Sequence, residues 1–483
     1  MTSFQHLGLP DSLLAAIEDL GFETPSEIQL ESIPLLLTEE TDFIGLAQTG
    51  TGKTAAFGLP LLSYLEAQPA KHTQALILAP TRELCQQITD QMHAFAKNIS
   101  GLNILSVYGG AAIQNQLRAL KKPQQLIVAT PGRLIDLMER KAVHLDRLSH
   151  VVLDEADEML NFGFKEDIDR ILQNSPPSRN TWLFSATLNP DLKRIVEEFM
   201  DDPQEVRLSR PNEVNRMIEH EYALVMPKNR TEALCRFLDS EPNMRGIVFC
   251  RTKMDTQKLA DELGQRAYRS DALHGDLSQV QRDRVTNKFR RHELQVLIAT
   301  DVAARGLDVQ DLTHVFHLNI PDDFAYYTHR SGRTARAGKT GISMALLAPR
   351  DEFKMNQLSK KLQIEFKKRS IPDAKDILRG RIRNWTDQIL DTDTGKKRNH
   401  KLLNEVLAQL EDVSREELVH RMLILEFQKL RAHSDKDLNA FAEKHHKPRF
   451  GGKPMAKGKK NFRSNLSAGP GGKSKNFKKR FKK

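Results

Sequence analysis

The sequence predicts an α/β protein, with two parallel-sheet domains in tandem followed by a small helical region and a disordered basic tail. Three observations carry that expectation. Short apolar runs alternate with helix-patterned segments through two successive stretches of similar length, the arrangement that buries parallel strands beneath helices on both faces. After Pro372 the pattern is helical throughout, with apolar positions at i, i+3 and i+4. From about Lys444 the chain is rich in Gly, Lys and Asn with isolated phenylalanines, a composition that cannot bury enough surface to order itself.

Bulk properties narrow the class. At 483 residues the chain is too long for one ordinary core. Its 39% hydrophobic and 28% charged residues are those of a soluble globular protein, and no stretch approaches the roughly 20 apolar residues that span a bilayer. Residues 1–10 have neither a basic nor an apolar leader region, so no secretory signal is expected. Cys85, Cys235 and Cys250 are scattered and odd in number, fitting neither a disulfide framework nor a zinc site. Buried filler in a reducing cytoplasm is the expectation. The net charge of +10 is uneven: residues 447–483 hold 14 Lys/Arg and no Asp/Glu, which leaves −4 on the rest of the chain. A mildly acidic body with a strongly basic tail points to a polyanionic partner, nucleic acid above all.

Taken in order, residues 11–20 form a short amphipathic helix. After Gly21-Phe22 a second helix is expected, with Thr24 as N-cap, Pro25 at the first helical position and Glu27 completing a capping box. Phe43, Ile44 and Leu46 mark the first strand, and further strands are expected at 75–79, 104–108, 126–129, 150–153 and 182–185. Residues 205–220 turn polar, carry Pro211 and show no strand or helix pattern; the linker is set at 207–220, between domains at 1–206 and 221–372. Strand runs recur at 222–225, 246–250, 295–299, 313–318 and 342–347. The helical region, 373–443, has helices expected at 374–390, 399–411 and 415–432, the last capped by Ser414 and Glu417. Leu418, Met422, Leu423, Leu425 and Leu430 give it an apolar surface too wide for a solitary exposed helix, so it packs on the core or on another subunit.

The chemistry starts at Ala47-Gln48-Thr49-Gly50-Thr51-Gly52-Lys53-Thr54, between the first strand and a helix that Ala55 and Ala56 open. This is a P-loop arrangement, in which turn N–H groups and a helix N-terminus face phosphate. Gly50 and Gly52 permit the backbone geometry, Lys53 reaches the β/γ-phosphates, and the Thr54 hydroxyl is the expected Mg²⁺ ligand. Strand 150–153 ends in Asp154-Glu155-Ala156-Asp157, where a Walker B group belongs. Asp154 would hold the Mg²⁺. Glu155 would orient and deprotonate the attacking water, a task for a carboxylate not committed to the metal.

That tetrapeptide and the motifs around it, over about residues 4–336, resemble the DEAD-box RNA helicase family, including its bacterial cold-shock and ribosome-assembly members. The resemblance implies two RecA-like domains, RNA-stimulated hydrolysis of ATP with Mg²⁺, local separation of short RNA duplexes, a cytoplasmic setting, and a part in ribosome biogenesis or stress response. Ala47, where the generic P-loop has Gly, is what this family carries. Residues 21–29 (GFETPSEIQ) look like its Q motif, set at 2–30. Gln29 would pair with the adenine edge, selecting ATP over GTP, and Phe4 would stack on the ring, with Phe22 also in the nucleotide site.

The resemblance also assigns the RNA path. Pro80-Thr81-Arg82-Glu83-Leu84, Gly109-Gly110 and Thr130-Pro131-Gly132-Arg133 match RNA-contact motifs. Small residues admit backbone N–H groups to phosphate there, while Arg82, Arg133 and threonine hydroxyls position the sugar-phosphate chain. Ser185-Ala186-Thr187 matches the motif linking hydrolysis to strand separation, its hydroxyls reaching Asp157 and His329. In the second domain, 329–336 (HRSGRTAR) resembles the arginine-finger motif, with Arg333 and Arg336 stabilising charge on the transferring phosphoryl group. Hydrolysis would then require domain closure, which RNA can drive. Thr300 and 301–308 (DVAARGLD) match another motif, with Thr300 touching RNA and Gly306 and Asp308 contacting the ribose. Arg284, in Gln281-Arg282-Asp283-Arg284, is the expected phosphate contact; His274-Gly275-Asp276 fits the family without an assigned role.

The tail, 444–483, would bind nucleic acid by counterion release, its phenylalanines stacking on unpaired bases. By position, length and pattern the helical region resembles the dimerisation region of some bacterial members, and a cap packed on the second domain is the alternative. Two rival functions share the features: a DNA translocase of the same superfamily, and an RNA annealer or clamp working through the tail. No membrane partner is expected.

Overall fold

The apolar runs of the first domain become one all-parallel sheet: β1 Phe43–Leu46, β2 Ala75–Leu78, β3 Ile104–Val107, β4 Leu126–Ala129, β5 His150–Asp154, β6 Asn180–Ser185 and β7 Gln204–Arg207. Its order is β3-β4-β2-β5-β6-β1-β7, with Phe43 in register with Trp182 on one side and Gln204 on the other. This computed structural model describes residues 3–38, 41–48, 50–208, 217–241, 243–304, 309, 312–321, 324–335, 339–392, 400–428 and 436–440. Side chains alternate between two cores, Ala75 and Ile77 entering one and Leu76 and Leu78 the other. Burial on both faces is why these strands read as unbroken apolar runs.

The second domain repeats the plan. Its strands are β8 Ile218–Leu224, β9 Gly246–Phe249, β10 Ser270–Leu273, β11 Val296–Ala299, β12 His314–His317, β13 Gly341–Leu347 and β14 Lys367–Lys368. The order, β10-β11-β9-β12-β13-β8-β14, is that of the first sheet with every strand number raised by seven. All strands in each sheet are parallel, so each domain gathers its strand C-terminal ends on one edge, where open α/β sheets bind ligands.

Three local expectations are corrected. Residues 205–220 are not strandless, since β7 starts at Gln204 and β8 at Ile218. β7 is an edge strand with Gln204, Glu205 and Arg207 exposed, and an edge tolerates charge, so the apolar signal is missing. β10 and β14 also escape a search for apolar runs, one opening with Ser270-Asp271 and the other being a lysine pair at the sheet edge. The second helix begins at Glu27, and Thr24 does not cap it. The Ser26 N–H donates to Gln29 Oε1 at 2.9 Å, so Gln29 rather than Glu27 is the side chain that reaches back. The three cysteines are buried and free.

Beyond the second sheet, helix Ala374–Asp391 opens on a reciprocal Asp373–Asp376 capping box and packs along helix Arg230–Ser240. A Cβ on Gly380 would lie 2.4 Å from the Ser240 carbonyl oxygen, and Arg381 pairs with buried Asp239 at 2.8 Å. This first helix is therefore a cap on the second domain. Helices His400–Gln409 and Arg415–Gln428 instead leave Leu403, Val406, Leu407, Val419, Met422 and Leu425 exposed. The chain returns at 436–440, where Leu438 enters the second-domain core, Asn439 bridges to Val225, and buried Arg236 donates to the Lys436 carbonyl at 2.9 Å. Leu430 and the tail lie outside the described residues. Among the described residues no helix is long and apolar enough to cross a membrane.

Candidate active site and interdomain cleft

The end of β1 delivers the turn expected to bind phosphate. Ala47 is fully buried and its N–H donates to the Ser185 carbonyl at 3.0 Å, fixing the turn to β6. Thr51 Oγ1 donates to the Gln48 carbonyl at 2.8 Å, and Gly50 and Gly52 adopt φ of 83° and 91°, the left-handed region that only glycine enters freely. Helix Lys53–Ala67 follows. Buried Lys53 folds back so that Nζ donates to the Ala47 carbonyl at 3.0 Å, and Thr54 stands half-buried in the first turn. Gln29, 4% exposed, accepts from Ser26 and donates from Nε2 to the Gly52 carbonyl at 3.0 Å. Its amide keeps one further donor and one further acceptor position. Phe4 is buried, and half-exposed Phe22 meets it edge-on at 6.2 Å. Thr49 lies outside the described residues.

β5 runs one residue past the apolar stretch, to Asp154. Asp154 is buried, its Oδ1 accepts the Glu155 N–H at 2.9 Å, and burial pushes its carboxyl up to about 7 against the attraction of Lys53. Glu155 stands at φ 49°, ψ 49°, a left-handed conformation that costs a non-glycine residue about 1–3 kcal/mol and recurs at functional sites. Asp154 and Thr54 offer only oxygen, the donor type that suits Mg²⁺, whose remaining positions go to phosphate and water. Among the described residues no cluster of three or more His, Cys, Asp or Glu would hold a metal unaided.

The next carboxylate has another task. Asp157 Oδ2 accepts from the Thr187 N–H at 3.0 Å and from Thr187 Oγ1 at 2.8 Å, and its own N–H donates to Ser185 Oγ at 3.3 Å. Of the two partners expected for Ser185 and Thr187, Asp157 is the one they reach. His329 instead meets Glu158, through a short Nδ1–Oε1 contact between two largely buried side chains. Glu158 lies just past the Asp154–Asp157 tetrapeptide, and no local pattern in the sequence marks it.

The motifs expected to contact RNA gather on the same edge. Pro80 follows β2 and is buried, and Thr81 caps helix Arg82–Phe95 by accepting the Leu84 N–H at 3.2 Å. Arg82 lies over Tyr108 at 4.7 Å and beneath exposed Gly109-Gly110, where a Cβ on Gly110 would be 3.3 Å from it. Thr130 is the N-cap residue of helix Pro131–Glu139; Gly132 is exposed, and Arg133 donates to Gln116 Oε1 at 3.0 Å and to the Ala111 carbonyl at 3.3 Å. Arg133 thereby ties its own turn to the Gly109-Gly110 loop.

Across the cleft, Arg282 donates twice to Glu83 Oε1, at 2.8 and 3.2 Å, and Arg82 faces Asp283 at 3.5 Å. Neighbouring positions of each domain thus exchange opposite charges. Arg284, two residues beyond Arg282 on helix Gln279–Arg290, is exposed. A two-residue step turns about 200° around a helix, which carries Arg284 away from the face that meets Glu83. Helix Phe324–Ser331 brings His329, and Arg333, 8% exposed, follows it. Arg330 grips Asp301 at 2.7 Å and the Asn319 carbonyl at 2.8 Å, joining that helix to the segment after Thr300. Thr300 is half-buried at the end of β11, and Gly306, Asp308 and Arg336 lie outside the described residues.

Comparison with known proteins agrees with this geometry. Residues 26–195 match the DEAD/DEAH box helicase family, 229–338 the helicase conserved C-terminal domain, and 377–434 the helical domain of a probable ATP-dependent RNA helicase. The chain is 43% identical over 392 residues to the DEAD-box ATP-dependent RNA helicase CshA of Bacillus cereus, covering 81% of this chain and 74% of that relative. It is 40% identical over 390 residues to CshA of Bacillus subtilis, covering 81% and 78%. The structure of S. cerevisiae Dbp5 bound to RNA and ADP BeF3 matches with a TM-score of 0.72 at 29% identity, over 81% of this chain and 100% of that one. With that identity sustained over four fifths of its length, the chain belongs to the DEAD-box family of ATP-dependent RNA helicases.

Proposed function

We propose that this enzyme separates short RNA duplexes locally by an RNA-gated closure of its two domains, and that hydrolysis reopens them. One observation carries the reading: Glu158, on the helix after β5, and His329, on the helix that leads into Arg333, come from different domains and touch. Lys53 and the turn N–H groups hold the triphosphate, Glu155 orients and deprotonates the water, and Arg333 with Arg336 meets the charge developing on the γ-phosphoryl group. Asp154 and Thr54 would hold Mg²⁺, which would supply charge neutralisation to the phosphates. RNA lies along Pro80–Arg82, Gly109-Gly110, Thr130–Arg133 and Thr300, with 1–206 and 221–372 as the two jaws. The test compares ATPase stimulation by RNA and by DNA of matched sequence; equal stimulation would favour a DNA translocase instead.

The seven exposed large apolar side chains described on helices His400–Gln409 and Arg415–Gln428, Ile424 among them, support a second reading, in which two copies pair through them. Light scattering on 1–371 against the full chain tests it, and equal oligomeric states would refute it. The basic tail adds non-specific RNA affinity, and the cytoplasm is the compartment that this chemistry suits.

A further inference from the structure

Glu158 stands outside every motif assigned above, yet beside the end of β5 it reaches across to the other domain. It is 3% exposed, and its Oε1 meets His329 Nδ1. The two neighbouring carboxylates are otherwise committed, Asp154 beside Lys53 and Asp157 to Thr187 and Ser185. His329 lies four residues before Arg333. Its neighbour Arg330 turns away into Asp301 and Asn319, so it does not compete for Glu158.

We propose that Glu158 is a positioning residue for hydrolysis: its carboxylate captures the His329 ring on closure and so sets the finger helix against the end of β5. This rests on the closure reading above. Thr187, Asp157, the short helix Ala156–Asn161, Glu158 and His329 then form one connected path from the β6 turn of the first domain to the finger helix of the second. Three carboxylates, Glu158, Asp157 and Glu155, face His329 from the first domain, and Arg330 and Arg333 are the cations on its own side. Burial lowers the proton affinity of the ring, but Glu158, with Asp157 and Glu155, outweighs burial and holds it above the ordinary value of 6.5. The closed state therefore binds a proton that the open state releases more readily. Closure is strongest below the raised value and weakens as pH climbs through it.

The experiment measures RNA-stimulated ATPase of the full chain, as kcat and as KM for RNA, from about pH 6 to pH 9. In wild type, KM for RNA should rise on the alkaline side. Glu158→Gln keeps the shape and removes the charge; it should raise KM for RNA about tenfold at neutral pH and flatten the alkaline rise. In a double-mutant cycle, Glu158→Gln should add nothing to His329→Gln, because both remove one contact. A Glu158→Gln enzyme with the wild-type KM and pH profile, or losses that add in the double mutant, would overturn the proposal while leaving the helicase reading intact. A wild-type enzyme that RNA does not stimulate would overturn both.

Discussion

Gln29 has two tasks available to it, and an isosteric change separates them. Its orientation is fixed by a backbone donor on one side, the Ser26 N–H at 2.9 Å, and a backbone acceptor on the other, the Gly52 carbonyl at 3.0 Å. Gln29→Glu keeps the first contact and turns the second into two oxygens facing one another in a site that is 4% exposed. Losing one buried neutral hydrogen bond costs about 1 kcal/mol, and leaving the Gly52 carbonyl without its donor adds about 1–3 kcal/mol. The sum, about 2–4 kcal/mol, falls on the turn that holds the triphosphate, so ATP affinity should drop on the order of 10²-fold. Equilibrium titration with a fluorescent ATP analogue and its guanine counterpart reads the result. If the amide only braces the turn, both nucleotides weaken together. If it also reads adenine, the preference for ATP narrows as well. Unchanged affinity for both would refute the brace and leave Gln29 as an ordinary helix residue.

Three other outcomes follow from the same geometry. Glu155→Gln should lower turnover by roughly 10²–10⁴-fold while ATP and RNA still bind, and duplex separation over many turnovers by that variant would remove Glu155 from its role. Glu83→Arg should impair RNA-stimulated ATPase, and Arg282→Glu in the same chain should recover about 1.5–3 kcal/mol of the loss, because that pair is only 15–17% exposed. Arg82–Asp283, with Asp283 48% exposed, should contribute about 1 kcal/mol or less. Glu241 lies 3.1 Å from His314 Nε2 and accepts from Arg369 at 2.8 Å, and His314 above all, with Arg369, against the cost of burial, holds its carboxyl near 2 rather than 4.5. The folded value lies below the unfolded one, so this stability is present above about pH 4.5 and is lost as pH falls toward 2, at most about 3 kcal/mol. Calorimetry of Glu241→Gln should show a flatter acid limb than wild type; parallel limbs would sink the assignment.

What the sequence showed and what it hid divide along physical lines. Strands buried on both faces announce themselves, as Leu76–Leu78 does. Edge strands such as Gln204–Arg207 and Lys367–Lys368 do not, since one side of their backbone has no neighbour and charge is welcome there. Motifs that chemistry constrains locally, the Gly-Lys-Thr turn and the acidic end of β5, were legible because their residues are adjacent in the chain. Contacts across the cleft were not. Glu83 and Arg282 are 199 positions apart and Glu158 and His329 are 171 apart, and no periodicity links such pairs. Arg282 and Arg284 read alike in the sequence, and the rotation of their helix decides which of them meets Glu83.

The duplicated topology bears on why the proposed nucleotide site draws on both domains. β8 holds the place of β1, but Val225-Met226-Pro227-Lys228-Asn229 follows it, with no glycine to open a phosphate cradle and with Arg230 starting the helix. β12 holds the place of β5, but Leu318-Asn319-Ile320-Pro321 follows it instead of a carboxylate pair. The second domain therefore has the ligand-binding edge without the means to hold phosphate or metal. What it offers from the corresponding position is the helix after β12, which bears His329 and leads into Arg333. The helix after β5 bears Glu158. The cross-domain contact thus joins the same element of two copies of one plan. At this contact the second domain supplies the histidine and the first the carboxylate. Under the closure proposed above, the contact between the two copies is then the natural point for RNA to control.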